Sequence, residues 1–169
     1  MDVRGHASLT SEAEVALGSY PSGFVDAVRD EGCGRISTGP HAGEYLNWSW
    51  DTGFRLDEST RDAAGDPLVP FETAALDGVE RGTGLTVLAC GRTDDGSRAD
   101  ESACAELRAA RWVVRDEFTP GLGGERHVDL YIGEGDGPGF TDSPLWAGWS
   151  GAEVVLEPAA ERGPGCGLA

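Results

Sequence analysis

Three aspartates lie on or beside segments with strand character, a setting in which carboxyl groups can transfer protons. Asp77 is in AALDGVERGTGLTVLACG, Asp116 is in WVVRDEFTPGLGGERHVDLYIGE, and Asp129 is near the end of that second segment. Like charges held close together disfavour ionisation of one partner, which keeps a proton available near neutral pH. A carboxyl group that stays protonated is a general acid. The three residues therefore predict a catalytic site, provided that strands bring them to a common cleft.

Aromatic side chains are concentrated around the segment NWSW, and their ring faces could stack on a sugar or on a polycyclic ligand. The residues are Tyr45, Trp48, Trp50 and Phe54. Aromatic residues in such a run also form hydrophobic core, so both interpretations stay open. His127 precedes Asp129 by two residues and could assist proton transfer or form a structural pair with that carboxylate.

Other reaction types lack their motifs in this sequence. No D-x-D-x-D-G loop occurs, so a Ca²⁺ or Mg²⁺ site is not expected. A G-x-S-x-G elbow and a phosphate-binding loop are also missing, which argues against nucleophilic serine chemistry and nucleotide use. We therefore predict a site without a metal or another cofactor.

The elements that would carry these residues are mostly strands. Glycine and proline punctuate short apolar runs at the spacing of a barrel or sandwich. In GTGLTVLAC the residues Leu85, Val87 and Ala89 share one face, and ARWVVRDEF and GAEVVLEP also read as strands. The segment RHVDLYIGE alternates in the same way. One of its faces carries Val128, Leu130 and Ile132, and the other carries His127, Asp129 and Tyr131.

Two short helices are predicted as well. In SEAEVAL, Ser11 and Glu14 fit a capping box, and ESACAELRAAR begins after Asp100, a residue suited to the N-cap. The stretch GRISTGPHAGEYLNWSWDTGFRLDESTRDAAGDP is irregular, aromatic and polar. It predicts strand fragments and long loops that could line a groove.

Four cysteines, Cys33, Cys90, Cys104 and Cys166, are far apart and form no C-x-x-C pair. This spacing argues against a zinc site and a thioredoxin-type motif. Cys90 and Cys104 bracket the polar loop GRTDDGSRADESA, and we expect their Cα atoms to lie within the roughly 7 Å that a disulfide requires. The alternative is that the thiols are reduced in a reducing compartment.

Composition limits the classes of partner. The 169 residues include thirty acidic and thirteen basic ones, for a formal charge of −17. Such a surface repels a phosphate backbone or an anionic membrane, so nucleic-acid binding is not expected. No apolar run approaches the roughly 18 residues that span a bilayer. We predict a monomer that acts on a glycan or on a small molecule, without a membrane span.

The run AALDGVERGTGLTV resembles the A-x-D-x-x-x-I-P-x-G-T-x-L-x-V segment of the three-aspartate (3D) domain. This domain occurs in the membrane-bound lytic transglycosylase A type of murein-degrading enzyme and in related muralytic proteins. VVRDEFTPGLGGERHVDLYIGE resembles the family's D-T-G-G-A-I-K-G-x-x-I-D-x-Y-x-G segment. Asp77, Asp116 and Asp129 would be the three aspartates, and Gly82-Thr83 keeps the family's Gly-Thr.

The resemblance implies an all-β fold, a six-stranded double-psi β-barrel with long loops and one or two short helices. The expected organisation is an N-terminal extension over 1–20, the barrel over 21–158 and a flexible tail over 159–169. The resemblance also assigns the acid–base role to Asp116, because the second aspartate is the catalytic acid in the transglycosylase relatives. The family's lysine has no counterpart here, although Arg126 or His127 could take its place.

Three functions from different classes follow. The first is a carbohydrate-active enzyme of the lytic transglycosylase type, in which Asp116 alone serves as acid and then as base, with Asp77 and Asp129 setting its pKa. The second is a cytoplasmic biosynthetic enzyme, a cyclase, dehydratase or isomerase, that uses the same aspartate. The third is a non-catalytic, expansin-like glycan-binding module. The first twenty residues lack the apolar stretch of a signal peptide, so the sequence as it stands predicts a cytoplasmic protein; the first and third functions require a leader upstream.

Overall fold

The computed structural model of the chain describes residues 5–124, 126–135 and 139–159. Within those ranges the fold is mostly β with two α-helices, which confirms the expected class. Contacts divide the chain into two compact units. One consists of Met1–Leu68 with Asp116–His127, and the other of Val69–Arg115 with Val128–Ala169.

The first unit contains a two-stranded hairpin, one helix and a three-stranded antiparallel sheet in the order β3-β4-β5. Its elements are β1 (His6–Thr10), β2 (Ala16–Pro21), α1 (Ser22–Glu31), β3 (Cys33–Arg35), β4 (Tyr45–Ser49) and β5 (Gly53–Asp57). A single apolar cluster fills the space between these elements. Its buried members are Leu9, Leu17, Tyr20, Val25, Val28, Ile36, Leu46 and Phe54.

The predicted helix over SEAEVAL is wrong, because this segment forms the turn after β1 and the first two residues of β2. Ser11 and Val15 exchange hydrogen bonds across the turn, in which the Ser11 hydroxyl accepts from the Val15 N–H rather than capping a helix. Glu14 has a left-handed φ of 59°, which no helix would contain. Leu9 and Leu17 on either side are buried in the same cluster. Burial of the two strands therefore outweighs local helix propensity.

Helix α1 was not predicted from the sequence. It begins after Pro21 and ends at Gly32, whose left-handed φ of 81° allows its N–H to reach the Val28 carbonyl. Val25 and Val28 lie one turn apart and are buried, while the rest of the helix is mostly polar. So narrow an apolar stripe gives a weak helical signal in the sequence.

The second unit contains a five-stranded sheet in the order β10-β6-β9-β7-β12 and a two-stranded pair, β8 with β11. Its elements are β6 (Thr73–Ala75), β7 (Gly84–Ala89), β8 (Arg92–Thr93), α2 (Glu101–Ala109), β9 (Trp112–Asp116), β10 (Asp129–Leu130), β11 (Trp149–Ser150), β12 (Glu153–Glu157) and the 3-10 turns Phe140–Asp142 and Pro144–Trp146. The predicted strands in GTGLTVLAC, ARWVVRDEF and GAEVVLEP are thus confirmed, whereas the longer strand predicted in RHVDLYIGE is wrong, because only Asp129–Leu130 of that segment forms a strand. Leu85 and Val87 are buried, as the alternation predicts.

Helix α2 confirms the second predicted helix and its cap. The Asp100 carboxylate accepts a hydrogen bond of 2.9 Å from the Ala103 N–H, which satisfies one of the N–H groups that a helix start leaves without a partner. Cys104 on this helix forms a disulfide with Cys90, and their Cα atoms are 5.8 Å apart. The expected proximity of the two cysteines is therefore confirmed. Cys33 is half-buried at the start of β3, and Cys166 lies outside the described residues.

Within the ranges given above, neither helix is long and apolar enough to cross a bilayer. The segment called a flexible tail, 159–169, falls outside the described residues from position 160 onward.

Candidate functional site

Asp116 is the last residue of β9, and its carboxyl group is held by the backbone. Oδ1 accepts a hydrogen bond of 2.8 Å from the Ala63 N–H and another of 3.0 Å from the Glu117 N–H. The residue is half-buried. Two N–H donors on one oxygen fix the orientation of the carboxyl group, and Ala63 is 53 positions away in sequence. Asp116 therefore has a defined geometry, as a positioned acid or as an anchor for the loop that contains Ala63.

That loop, residues 58–68, is itself fixed by buried polar side chains. Asn47 on β4 is 2% exposed, donates from Nδ2 to the Ser59 carbonyl at 2.8 Å and accepts from the Arg61 N–H at 3.0 Å. Asp62 is also 2% exposed and accepts from the Asp66 N–H at 2.8 Å. These hydrogen bonds hold the backbone on both sides of Ala63, so the Ala63 N–H is positioned to donate to Asp116.

An ion pair also joins this loop to the end of β5. The Arg61 guanidinium contacts both carboxylate oxygens of Asp57 at the end of β5, with Nη2 at 2.6 Å and Nε at 3.0 Å. This hydrogen-bonded pairing holds the pKa of Asp57 below its ordinary value near 3.8, although partial burial opposes the effect. The bidentate geometry makes the pair more specific than most surface ion pairs.

The Asp57–Arg61 pair predicts a loss of stability in acid. The folded-state pKa of Asp57 is lowered, so the contribution of the pair is fully present above about pH 4 and is lost as pH falls through the folded-state value. We expect Asp57→Asn to reduce the free energy of unfolding by about 0.5–1 kcal/mol at neutral pH. Urea unfolding of both proteins, at neutral pH and at a pH below the ordinary Asp value near 3.8, should show this difference shrinking in acid. A difference that is the same at both pH values, or equal to that of the exposed control Asp94→Asn, would contradict this account.

The four aromatic residues near NWSW do not share one environment. Phe54 is buried in the apolar cluster of the first unit. Trp48 packs against that cluster, and the centroid of its ring is 6.5 Å from that of Phe54. Tyr45 is half-buried at the start of β4. Trp50, in the turn between β4 and β5, is 72% exposed. The expected shared platform is thus partly core, and Trp50 is the member that offers an open ring face.

Side-chain hydrogen bonds brace the turn that carries Trp50. The Ser49 hydroxyl donates to Asp51 Oδ1 at 2.8 Å and lies 2.6 Å from the Thr52 hydroxyl. Gly53 follows with a left-handed φ of 66°, the conformation that glycine adopts most easily. An exposed indole on a braced turn loses little conformational entropy when it binds a ligand.

His127 and Arg126, the other proposed binding residues, are exposed at the end of the first unit. The His127 ring stacks on Phe118, with centroids 4.6 Å apart and planes 23° apart, and its Nδ1 is 3.2 Å from the Leu122 carbonyl oxygen. These contacts connect His127 to Phe118 and Leu122. A role for either residue in binding a substrate stays a prediction.

Asp77 and Asp129 belong to the second unit and are brought to one strand pair. Asp129 begins β10 directly opposite Ala75 of β6, and Asp77 follows Ala75 by two residues in the turn after that strand. The side chain of Asp129 is exposed, away from the apolar face, as predicted. Because Asp116 is in the first unit, the common cleft for all three aspartates stays a prediction from the sequence.

Gly82-Thr83, which resembles the Gly-Thr of the three-aspartate family, has a structural role in the second unit. The Gly82 N–H donates to the Val114 carbonyl at 2.7 Å, and the Val114 N–H donates to the Thr83 carbonyl at 2.8 Å. Gly82 has a φ of 97°, which favours glycine. Arg81 donates to the Arg115 carbonyl, and Arg115 pairs with Glu72. The motif thus fixes the end of β9 immediately before Asp116.

Sequence reasoning did not identify Asn47, Asp57 or Arg61 as parts of this arrangement. A weak signal for Asn47 was available, since it occupies a strand position flanked by apolar and aromatic neighbours and must find hydrogen-bond partners if buried. Ala63 could not have been found, because its contribution is a backbone N–H. Among the residues that the structure describes, no group of three or more His, Cys, Asp or Glu is arranged to hold a metal ion.

Comparisons of the chain with protein-family models, with curated proteins and with solved structures find no match. The likeness to the three-aspartate family therefore depends on the residues quoted above.

Proposed function

We propose that this chain is an exported, glycan-directed enzyme of the lytic transglycosylase type, with Asp116 as its acid–base residue. The main support for the proposal is the position of the Asp116 carboxyl group, which two backbone N–H groups orient by donating to Oδ1. General acid–base catalysis requires a group with defined geometry, and it contributes about 10²–10⁴-fold to a rate. The sequence resemblance supplies the reaction type.

In the proposed reaction, Asp116 donates a proton to the glycosidic oxygen as the bond from that oxygen to the anomeric carbon breaks. The C6 hydroxyl of the same sugar then attacks the anomeric carbon and gives its proton to Asp116, which restores the acid. The product is an internal anhydro sugar, and no water is consumed. Ordinary glycosidases need a second carboxyl group to activate water or to attack the sugar. Here the substrate supplies the nucleophile, so one residue suffices.

The proposal extends to the fold, for which the resemblance implies a closed six-stranded double-psi β-barrel. The mostly β class supports the all-β part of this expectation. Among the described residues the five-stranded sheet ends at β10 on one side and at β12 on the other, so closure into a barrel stays a prediction from the resemblance. The disulfide between Cys90 and Cys104 supports the exported functions over the cytoplasmic biosynthetic enzyme, because disulfides persist mainly in oxidising compartments.

The test is digestion of purified peptidoglycan in water enriched in oxygen-18, with products identified by mass spectrometry. A lytic transglycosylase releases anhydro products that carry no heavy oxygen. A hydrolase would release products that have each gained one heavy oxygen atom. Anhydro products without the label support the proposal, and labelled reducing ends contradict it. If no product forms, the enzyme proposal fails and the binding module described next is favoured.

A second candidate function, a non-catalytic glycan-binding module, is favoured by the exposure of Trp50 on a braced turn. An aromatic ring contributes about 0.5–1.5 kcal/mol to such stacking beyond its buried area. In this reading, Asp116 anchors the 58–68 loop and transfers no proton.

Trp50→Ala is therefore expected to weaken sedimentation with insoluble peptidoglycan by about two- to tenfold. Its free energy of unfolding should stay within about 0.5 kcal/mol of wild type, since the side chain is 72% exposed. Trp50→Tyr, which keeps an aromatic face, is the matched control and should retain most of the binding. Equal sedimentation of Trp50→Ala and wild type would remove Trp50 from the binding surface.

A further inference from the structure

Strand β12 (Glu153–Glu157) is an edge strand of the five-stranded sheet. Its inner side pairs with β7 in antiparallel register, from Glu153 opposite Ala89 to Glu157 opposite Gly84. Within the part of the chain that the structure describes, no strand pairs with its outer side. An edge strand of this kind presents a row of backbone N–H and C=O groups that can bind an added strand.

The middle of β12 is apolar and exposed. Val154, Val155 and Leu156 are 37%, 43% and 42% exposed, and none of these three positions carries a charge. Proteins usually protect edge strands from pairing with other chains by placing charged residues, proline or a bulge in the middle of the strand. In β12 the register shift lies at one end, between Glu153 and Val154. The central part of this edge strand therefore lacks these protective features.

One face of this edge strand lies beside the core residues of β7, and β7 and α2 together line a groove. Val154 and Leu156 pair with Val87 and Leu85, and paired residues share a face of the sheet. Leu85 and Val87 pack with the α2 side chains in one core cluster. The open groove is lined by Thr86, Val87, Leu88, Ala105, Arg108 and Ala109. An added strand could place alternate apolar side chains along this face.

The charges at the ends of β12 indicate what kind of strand fits. Glu153 and Glu157 flank the apolar centre, and both are exposed. Antiparallel pairing with a second copy, centred on Val155, would put Glu153 opposite Glu157 of the other copy at both ends. Like charges directly opposite each other destabilise a strand pair, and two chains of formal charge −17 repel each other. A second copy is therefore disfavoured, and a basic partner is favoured.

We propose that the outer side of β12 binds an extended segment of another protein as an added antiparallel strand. The segment has an apolar, β-branched centre and a basic residue at each end, opposite Glu153 and Glu157. Main-chain hydrogen bonds would supply affinity, and the charge pairs with the apolar face would supply specificity. This site is in the second unit and does not depend on the glycan proposal.

The probe is the fluorescein-labelled peptide Lys-Val-Thr-Ile-Lys, measured by fluorescence anisotropy at low ionic strength. Two matched peptides are Glu-Val-Thr-Ile-Glu, which reverses the charges, and Lys-Val-Pro-Ile-Lys, which keeps the charges but removes a backbone donor. We expect the first peptide to bind at least about tenfold more tightly than either of the others. Amide chemical-shift changes should be concentrated in residues 153–157.

Paired variants separate the site from general attraction to an acidic protein. In Glu153→Lys/Glu157→Lys the preference should reverse in favour of the acidic peptide. In Glu12→Lys/Glu31→Lys, which changes the net charge equally through exposed residues of the first unit, the preference should not change. Val155→Lys should abolish binding by placing a charge in the apolar centre.

Several outcomes would overturn the proposal. Equal binding of the basic peptide and its proline counterpart would mean that charge alone is responsible. The same result in both paired variants would put the peptide elsewhere on the surface. Concentration-dependent dimers that Val155→Lys abolishes would identify a second copy as the occupant. Binding that occurs only after removal of residues 160–169 would identify the chain's own C-terminal segment.

Discussion

Replacing Cys90 and Cys104 together by alanine is expected to lower the free energy of unfolding by about 3 kcal/mol. The disulfide joins residues 14 positions apart and connects the end of β7 to α2. Removing it restores conformational freedom to the unfolded chain, and in a loop of this length the loss of closure entropy gives that magnitude. Both side chains are also buried in the hydrophobic core of the second unit, together with Leu85, Leu107 and Trp112, so their truncation adds a smaller packing cost.

Urea unfolding under non-reducing conditions measures this effect. The single variants Cys90→Ala and Cys104→Ala both break the crosslink, so each should lose nearly as much stability as the double variant. Wild type treated with a reducing agent provides the matched control, because it loses the crosslink but keeps both side chains. A double variant that unfolds at the same urea concentration as untreated wild type would show that the crosslink does not stabilise the chain.

Strands whose two faces meet different environments could be predicted from the sequence. In β7 and β9 the buried residues alternate with more exposed ones, so period-two spacing identified both elements. Helix α2 was also predictable, because Asp100 provides an N-cap whose side chain bonds locally to Ala103. These signals are local, and they need no knowledge of the rest of the fold.

Elements decided by tertiary burial could not be predicted in this way. The SEAEVAL segment has helix-forming residues and a capping pattern, yet burial of Leu9 and Leu17 makes it the turn of a hairpin. Helix α1 has only Val25 and Val28 as buried residues, and no side-chain cap marks its start. In both places the sequence pattern is weaker than the packing that determines the structure.

The candidate site shows the same division. Asp116 was predicted to be the acid–base residue from its position at the end of a predicted strand and from the family resemblance, and this role stays a prediction. The group that orients it is the backbone N–H of Ala63, 53 residues earlier, which no side-chain pattern encodes. The loop that presents this N–H is held by Asn47 through contacts 12 and 14 residues away. Such contacts depend on how the chain folds back on itself.

Asp116→Asn is expected to reduce glycan turnover by about 100-fold or more, the range that loss of a general acid allows. The asparagine oxygen can still accept from the Ala63 and Glu117 N–H groups, so the variant should remain folded. Asp116→Ala removes that acceptor as well and leaves the part-buried Ala63 N–H without it, which costs about 1–3 kcal/mol, whereas water can replace the exposed hydrogen bond from the Glu117 N–H. Comparing the two variants separates the chemical role from the structural one. Asp26→Asn, on the exposed surface of α1, is the matched control.

The most direct test of the proposed function is the rate at which wild type and Asp116→Asn release anhydro products from purified peptidoglycan, with urea unfolding measured on the same samples. We expect wild type and Asp26→Asn to release these products at similar rates, and a fully folded Asp116→Asn to be slower by about two orders of magnitude. Wild-type turnover by a folded Asp116→Asn would contradict the assignment of Asp116 as the acid–base residue.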